Sequence, residues 1–257
     1  MGGSLTWKIA SASVTGTSHS EKNSHCQDKC FSEVMYGNNL EEYLFCIVSD
    51  GAGSALNGGQ GAEIACQTAR SFFEREIKQS NESVFSKEFI ENIIKVVNER
   101  IEDVAGLNFS SKRDYACTFL GAIVSIEKSI FFQVGDGCIV AASNGIRGII
   151  FWPEAMLYAN MTNFIIDTDV LDHLQICIQN FPVHELTLST DGLQRLILNF
   201  DIMAPHTPFF DRIFSPLKSG TTINEDELSE QLSVFLDTEI INNRTDDDKT
   251  LILATRI

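Results

Sequence analysis

The sequence predicts an α+β fold in which two stacked antiparallel β-sheets are flanked by helices, an αββα sandwich. Short apolar runs with strand character recur along the chain, and several are joined by connections short enough for hairpins, which implies antiparallel pairing. Helical patterns are grouped in the middle and near the end, whereas a parallel sheet would alternate strands with helices. No repeat and no low-complexity linker divides the 257 residues. We therefore expect a single domain over residues 1–257.

Hydrophobic periodicity gives the positions of the individual elements. Predicted strands cover 7–14, 30–35, 43–49, 117–126, 130–134, 138–142, 163–167, 174–178, 185–189 and 250–255. Predicted helices cover 59–79, 86–104 and 225–237, with a short helix after residue 191. The connections at 127–129, 135–137 and 143–145 are predicted as hairpins. Predicted loops and irregular segments cover 16–28, 148–167 and 200–219, the last of which holds three of the five prolines.

The charge of the chain argues against some classes of partner. Its formal net charge is −16, from 35 acidic and 19 basic residues. Nucleic acids and anionic membranes attract basic surfaces, so neither is expected as a partner. No apolar run approaches the length of about 20 residues that a membrane span needs, and no secretory signal is visible. We expect a cytoplasmic protein that acts as a monomer.

The seven cysteines are odd in number and scattered, which favours a reducing compartment over a disulfide framework. Cys26 and Cys30 are separated by three residues and lie near His19 and His25, so a zinc site is an alternative. A second pair of ligands with metal-binding spacing is missing from the sequence, and zinc is therefore disfavoured.

Acidic residues follow or precede four strand-like runs. Asp50, Asp136 and Asp191 each follow an apolar run and precede a glycine, and Asp247 comes just before the last predicted strand. A single Asp-Gly pair is most often turn chemistry. The four acids together indicate a metal site, because one sheet edge can bring several strand ends close to one another. Sites built only from oxygen ligands select Mg²⁺ or Mn²⁺. The Gly51 carbonyl is a further candidate oxygen ligand.

These motifs carry a resemblance to a known family. In order, they are Gly16-Thr17-Ser18-His19 with Gln27-Asp28, Val48-Ser49-Asp50-Gly51, Gly135-Asp136-Gly137, Ser189-Thr190-Asp191-Gly192 and Asp247-Asp248-Lys249-Thr250. The chain resembles the metal-dependent, 2C-type serine/threonine protein phosphatases in their compact bacterial form. The resemblance runs from residue 16 to the C-terminus and implies a β-sandwich with flanking helix pairs.

The resemblance also implies roles for individual residues. Asp50 would bridge two Mn²⁺ or Mg²⁺ ions, with Gly51 binding one of them through its carbonyl, and Asp191 and Asp247 binding the other. Asp28 would hold a metal-bound water, and a hydroxide bridging the two ions would attack phosphorus. Asp136 matches a residue associated with a third, weaker ion in the family.

Four positions depart from the family pattern. Gln27 stands where a glutamate is usual, and His19 stands where many relatives have an arginine that contacts the substrate phosphate. His19 is therefore the candidate phosphate contact. Ala52 stands where some relatives have a histidine that acts as a general acid. Arg195 replaces an aspartate associated with the third ion, so a third ion is doubtful.

The function predicted from the sequence is metal-dependent hydrolysis of phosphoserine and phosphothreonine in proteins, with a phosphorylated protein as partner. A pseudophosphatase that binds phosphoproteins without turnover is the alternative, motivated by the departures at 27, 52 and 195. A metallohydrolase on an unrelated fold ranks lower, because the five histidines follow no metal-binding pattern.

Overall fold

Two antiparallel sheets of five strands each form the centre of the molecule. The computed structural model describes residues 6–21, 24–38, 40–79, 83–153, 162–219 and 224–257. In spatial order, the first sheet contains β1 (Trp7–Val14), β12 (Lys249–Arg256), β9 (Glu185–Ser189), β6 (Cys138–Ser143) and β7 (Ile146–Ile149). The second sheet contains β2 (Asp28–Tyr36), β3 (Glu42–Asp50), β4 (Phe119–Val124), β5 (Ser129–Val134) and β8 (Gln175–Gln179). A separate two-stranded pair contains β10 (Leu198–Asn199) and β11 (Ala204–Pro205).

Helices cover the outer face of each sheet. The long helices α2 (Gly58–Gln79) and α3 (Lys87–Leu107) pack on the second sheet, and α5 (Thr207–Lys218) and α6 (Glu225–Leu236) pack on the first. The short helices of the described chain are α1 (Thr17–Ser20), α4 (Gln194–Ile197) and α7 (Glu239–Asn242). A third apolar layer, with Leu44, Leu120 and Ile252 among its residues, fills the space between the sheets. This arrangement confirms the predicted αββα sandwich.

The two long helices on the second sheet form as their sequences predict. The Ser86 side chain accepts a hydrogen bond from the Phe89 amide at 3.1 Å and so caps the first turn of α3. Buried residues recur at helical spacing, and Phe73 of α2 stacks on Phe45 of β3 with ring centroids 4.3 Å apart. These contacts fix α2 on the strand that ends at Asp50.

One predicted hairpin is wrong. The connection at 135–137 does not pair β5 with β6; it carries the chain from the second sheet to the first. Gly135 has a φ of +99°, a conformation that favours glycine, and this turn redirects the chain between the layers. The connections at 127–129 and 143–145 do form hairpins, since β4 pairs with β5 and β6 with β7.

Two predicted segments have a different structure. The strand expected at 163–167 is a turn, in which the Phe164 amide donates to the Asp167 carboxylate at 2.8 Å. The loop expected at 200–219 contains α5. Pro208 lies in the first turn of that helix, where it breaks no hydrogen bond, whereas Pro216 lies inside the helix and lacks an amide hydrogen to donate. The polar loop expected at 16–28 contains the one-turn helix α1. Residues 154–161 of the segment predicted as irregular lie outside the described residues.

A membrane-spanning helix is not found in the described part of the chain, because no helix there is both long and apolar enough.

All seven cysteines are free thiols, and burial raises the pKa of the Cys117 and Cys138 thiols to about 12. Those two thiols therefore stay protonated and pack as small apolar side chains.

Candidate metal centre

One edge of the sandwich carries a pocket of about 240 Å³ with acidic walls. Its four carboxylates come from four strand ends: Asp50 ends β3, Asp136 lies between β5 and β6, Asp191 follows β9 and Asp247 precedes β12. The structure thus brings together the acidic residues that the sequence placed at strand ends. The other lining residues are His19, Gly51, Ala52, Gly53, Ser54, Thr118, Thr162 and Phe164.

Asp50 is held in place by the start of the neighbouring strand. Its amide donates to the Thr118 hydroxyl at 3.0 Å, and its carbonyl accepts from the Thr118 amide at 2.8 Å. The Ser49 hydroxyl donates to the Thr118 carbonyl at 2.6 Å. The backbone of Asp50 is therefore fixed on both sides, and its side chain enters the pocket from a rigid strand.

The turn after Asp50 has no room for a side chain. A Cβ on Gly51 would lie 2.2 Å from the carbonyl carbon of Gly58, where α2 begins. The Gly51 amide donates to the Gln27 carbonyl at 3.2 Å. The main chain therefore forms this part of the pocket wall, as a backbone carbonyl ligand requires.

Asp28 lies behind the pocket and not on its surface. It pairs with Asp50 across β2 and β3 and is fully buried. One carboxylate oxygen accepts from the Thr190 hydroxyl at 2.7 Å, and Thr190 accepts in turn from the Thr250 amide at 3.1 Å. Among the described residues, the other oxygen of Asp28 has no hydrogen-bond partner. Asp28 thus links the two sheets and keeps one oxygen unpaired.

Asp191 and Asp247 reach the pocket from the first sheet. Asp191 begins a 3₁₀ turn, Asp191–Leu193, and its buried Oδ1 has no hydrogen-bond partner in the described part of the chain. A Cβ on Gly192 would lie 2.1 Å from the Asp248 carbonyl oxygen, so only glycine lets the two segments approach. The Asp247 carboxylate accepts from the Asp248 amide at 2.8 Å.

The carboxyl groups raise each other's pKa. Burial is the main cause for Asp50, and the charges of Asp28, Asp191 and Asp247 raise its pKa further, well above the ordinary value. Burial raises the pKa of Asp28 to about 7. Burial and the charge of Asp136 raise the pKa of Asp191 to about 7. Without a cation, several negative charges repel one another in a site that water only partly solvates.

The donor set fits divalent cations with hard oxygen ligands. Unpaired carboxylate oxygens on Asp28 and Asp191 and the acidic walls would all gain from positive charge. Across the described residues, no three His, Cys, Asp or Glu side chains are arranged to enclose an ion by themselves. The coordination would therefore be completed by water and by the Gly51 carbonyl, which is usual for Mg²⁺.

Asp136 lies on the other side of the pocket, and polar neighbours hold it there. Its carboxylate accepts from the Thr162 hydroxyl at 3.0 Å, and its carbonyl accepts from the Gln194 side chain. Burial raises the pKa of Asp136. Arg195 is exposed on α4 and is not among the pocket-lining residues. Thr162 and Gln194 are the described hydrogen-bond partners of Asp136, and Arg195 forms no described ion pair with it.

His19 lines the pocket and meets a carboxylate that the sequence did not single out. Its Nδ1 lies 2.9 Å from Asp248 Oδ1, in an orientation that makes an ion-pair contact and not an aligned hydrogen bond. Ala52 also lines the pocket and offers no side-chain proton. Among the described residues, His19 is therefore the one that brings an imidazole to the wall of this pocket.

The thiols considered for zinc contact different neighbours. The Cys26 thiol donates to the Asp28 carbonyl at 3.7 Å, and the Cys30 thiol accepts from the Ser13 hydroxyl at 3.6 Å. His25 is exposed. The spacing of these residues in the sequence does not correspond to a shared centre.

Sequence reasoning missed three residues that build the site. The sequence predicts no role for Thr118, and Thr190 and Asp248 enter the prediction only as parts of motifs. Each is nearly fully buried and hydrogen-bonded to another segment of the site. A single sequence gives little signal for such contacts, although a hydroxyl residue, Ser49 or Thr190, directly precedes two of the three Asp-Gly pairs.

Comparison with known sequences gives two matches over most of the chain. Residues 15–237 match a family model described as "Protein phosphatase 2C". The serine/threonine-protein phosphatase 3 of Escherichia coli (strain K12) is 36% identical over 250 residues, which cover 97% of this chain and 98% of that protein.

Comparison with solved structures shows a shared fold. The serine/threonine phosphatase Stp1 from Staphylococcus aureus matches with a TM-score of 0.64 at 19% identity, covering 99% of this chain and 96% of that chain. The catalytic domain of the serine threonine protein phosphatase PstP, in complex with 2 manganese ions, matches with a TM-score of 0.65 at 12% identity, covering 99% of this chain and 100% of that chain.

Proposed function

Because this chain belongs to the protein phosphatase 2C family, we propose that it hydrolyses phosphoserine and phosphothreonine in proteins with the aid of two Mn²⁺ or Mg²⁺ ions. The observation that carries the proposal is the convergence of four strand-end carboxylates on one pocket, with unpaired buried oxygens on Asp28 and Asp191. The residues that would hold the ions are Asp50, Asp191, Asp247 and the Gly51 carbonyl.

The chemistry that the ions would supply is twofold: they would polarise the phosphate and provide a hydroxide nucleophile at neutral pH. Asp28 would act from behind the pocket. Its free oxygen is the acceptor available to orient a water, and its other oxygen is fixed by Thr190. Such outer partners typically orient the groups that do the chemistry.

A side chain of the pocket wall is also available to contact the substrate phosphate. His19 is the basic side chain on the pocket wall, and we assign it the contact with a phosphate oxygen. Asp136 is hydrogen-bonded to Thr162, and since Arg195 stands in place of the aspartate associated with a third ion, we assign no third ion. A protein substrate would present its phosphorylated residue to this open edge of the sandwich.

The direct test is phosphate release from a phosphoserine peptide in the presence of Mn²⁺ or of a chelator. We expect turnover with Mn²⁺ and none with the chelator. Asp191→Asn should lower kcat/KM by at least about 100-fold, because loss of even an outer partner of a metal typically costs about 10–100-fold. Asp201→Asn is the matched control, because Asp201 is an exposed acid away from the pocket.

The competing outcome is the pseudophosphatase. Two strong Mn²⁺ sites by calorimetry, without release of phosphate from any phosphopeptide, would replace the enzyme with a binding module. Undiminished turnover by Asp191→Asn would instead remove Asp191 from the metal ligands.

A further inference from the structure

Asp248 is a buried carboxylate with three partners, and it lies immediately after a proposed metal ligand. Its Oδ1 accepts from the Gly16 amide at 2.7 Å, and its Oδ2 accepts from the Gln27 amide at 2.6 Å. The third partner is His19, whose Nδ1 lies 2.9 Å from Oδ1. One side chain therefore joins the segments that carry His19 and Gln27 to the start of β12.

The contact also determines which part of the His19 ring meets the pocket. Nδ1 is buried, whereas the side chain as a whole remains 17% exposed. Nδ1 is therefore not the exposed part of the ring, and Nε2 is the ring nitrogen left for a ligand in the pocket that His19 lines. Among the described residues, His19 is the basic side chain within ion-pair distance of Asp248. The nearby Lys249 ammonium is bound to the Asn242 side chain at 2.5 Å.

The backbone supports the same arrangement. The Ser18 amide donates to the Asp246 carbonyl at 2.9 Å. A Cβ on Gly16 would lie 2.3 Å from the carbonyl carbon of Asp247, so glycine allows the segment to lie directly on the chain before β12. His19 and the proposed ligand Asp247 are thereby held at a fixed relative position.

We propose that Asp248 is a positioning residue that holds His19 through Nδ1 so that Nε2 meets a phosphate oxygen in the pocket. This inference rests on the proposed function, because it takes the phosphate of a phosphoserine or phosphothreonine as the group that His19 contacts. A carboxylate beside one ring nitrogen of an imidazole favours the hydrogen on that nitrogen, which leaves the other nitrogen to act on a ligand. Asp248 itself touches neither substrate nor metal.

A double-mutant cycle tests whether Asp248 acts through His19. The variants are Asp248→Asn, His19→Ala and the double variant, assayed on a phosphoserine peptide at saturating Mn²⁺. We expect each single variant to lower kcat/KM by about tenfold, mainly through KM, which is the size of a lost hydrogen bond to a charged group. The double variant should be no worse than His19→Ala. Losses that multiply in the double variant would overturn the proposal, because the two residues would then act independently.

A matched pair elsewhere in the chain controls for general effects. His173 and Asp169 form an exposed imidazole–carboxylate contact at 3.3 Å, outside the pocket. The same cycle, with Asp169→Asn and His173→Ala, should leave kcat and KM unchanged.

A spectroscopic measurement separates this inference from the proposed function. In ¹⁵N spectra of the wild-type protein without metal or substrate, Nδ1 of His19 should carry a hydrogen, and Asp248→Asn should shift the His19 ring signals while those of His173 stay in place. A His19 Nδ1 without hydrogen in the wild type would overturn the inference, and this reading needs no variant that might misfold. If the spectra show the hydrogen on Nδ1 of His19 but the protein releases no phosphate, the proposed function is refuted. The contact between Asp248 and His19 is then still supported.

Discussion

At the scale of single residues, the acidic pocket destabilises the metal-free fold. Burial raises the pKa of the Asp28, Asp50 and Asp191 carboxyls, and the charges of neighbouring acidic residues raise each of these pKa values further. The proposed function requires them ionised and close together, whereas folding alone would favour them protonated or far apart. A divalent cation would resolve the conflict, because binding to the folded state stabilises that state.

The pH dependence of stability follows from the direction of these shifts. A carboxyl with a raised pKa in the folded state stabilises the fold fully below its unfolded pKa, near the ordinary value of 3.8. That contribution is lost as the pH rises through the folded value of about 7 for Asp28 and Asp191. In chelator, this cluster should therefore lower the free energy of unfolding progressively between about pH 4 and about pH 7.

Asp50→Asn should make the metal-free protein more stable. The variant removes one of the repelling charges, so at pH 7.5 in chelator its free energy of unfolding should exceed that of the wild type by about 1 kcal/mol or more, since one pKa unit corresponds to about 1.4 kcal/mol. Urea denaturation at several pH values measures this. With Mn²⁺ the order should reverse, and a difference that does not change with pH would refute the electrostatic explanation.

At the scale of elements, the site depends on how closely α2 approaches the end of β3. The Gly51 backbone lies against Gly58 at the first residue of α2, with no space for a methyl group. The turn thus joins a strand that carries the proposed ligand Asp50 to a helix that packs on the same sheet. A shift of the helix start would move the pocket wall.

Gly51→Ala should damage both stability and metal binding. The new Cβ would meet the Gly58 backbone at 2.2 Å, and overpacking of this kind typically costs about 1–3 kcal/mol. We expect a lower urea midpoint and weaker Mn²⁺ binding by calorimetry. Gly53→Ala is the control, because Gly53 also lines the pocket but a Cβ there meets nothing within 4 Å. Equal behaviour of the two variants would contradict the packing argument.

The elements were predictable where a local pattern decides them. The apolar stripes of α2 and α3, with the Ser86 cap of α3, predict those helices directly. Helix α5 was missed because its prolines outweighed the helical spacing of Phe210, Phe214 and Leu217, all buried on the first sheet. The turn at 163–167 was mistaken for a strand because Ile165 and Ile166 are buried without lying in a sheet.

At the scale of the whole molecule, the sequence of a strand does not show which of the two stacked sheets the strand belongs to. Every residue of β4 and β5 is buried, since one face meets the other sheet and the opposite face meets helices. Such strands are continuous apolar runs without alternation. The sequence therefore indicated a sandwich, but the passage of the chain at 135–137 between the sheets could not be distinguished from a hairpin.

The acidic residues of the site were predictable from the sequence, whereas the contacts that hold them were not. Three of the four strand-end acids, Asp50, Asp136 and Asp191, carry their own local signal, an Asp-Gly turn after an apolar run, and all four line one pocket. The contacts that hold them, from Thr190 to Asp28 and from Asp248 to His19, join residues 162 and 229 positions apart. Contacts of that kind depend on the stacking of the two sheets, which no local pattern encodes.

The central claim is that this edge of the sandwich holds two divalent ions, and anomalous diffraction from a crystal soaked in Mn²⁺ tests it most directly. We predict two manganese peaks in the pocket, both bound by Asp50, one of them also by the Gly51 carbonyl and the other by Asp191 and Asp247. Manganese bound elsewhere on the chain, with this pocket empty at saturating Mn²⁺, would contradict the account.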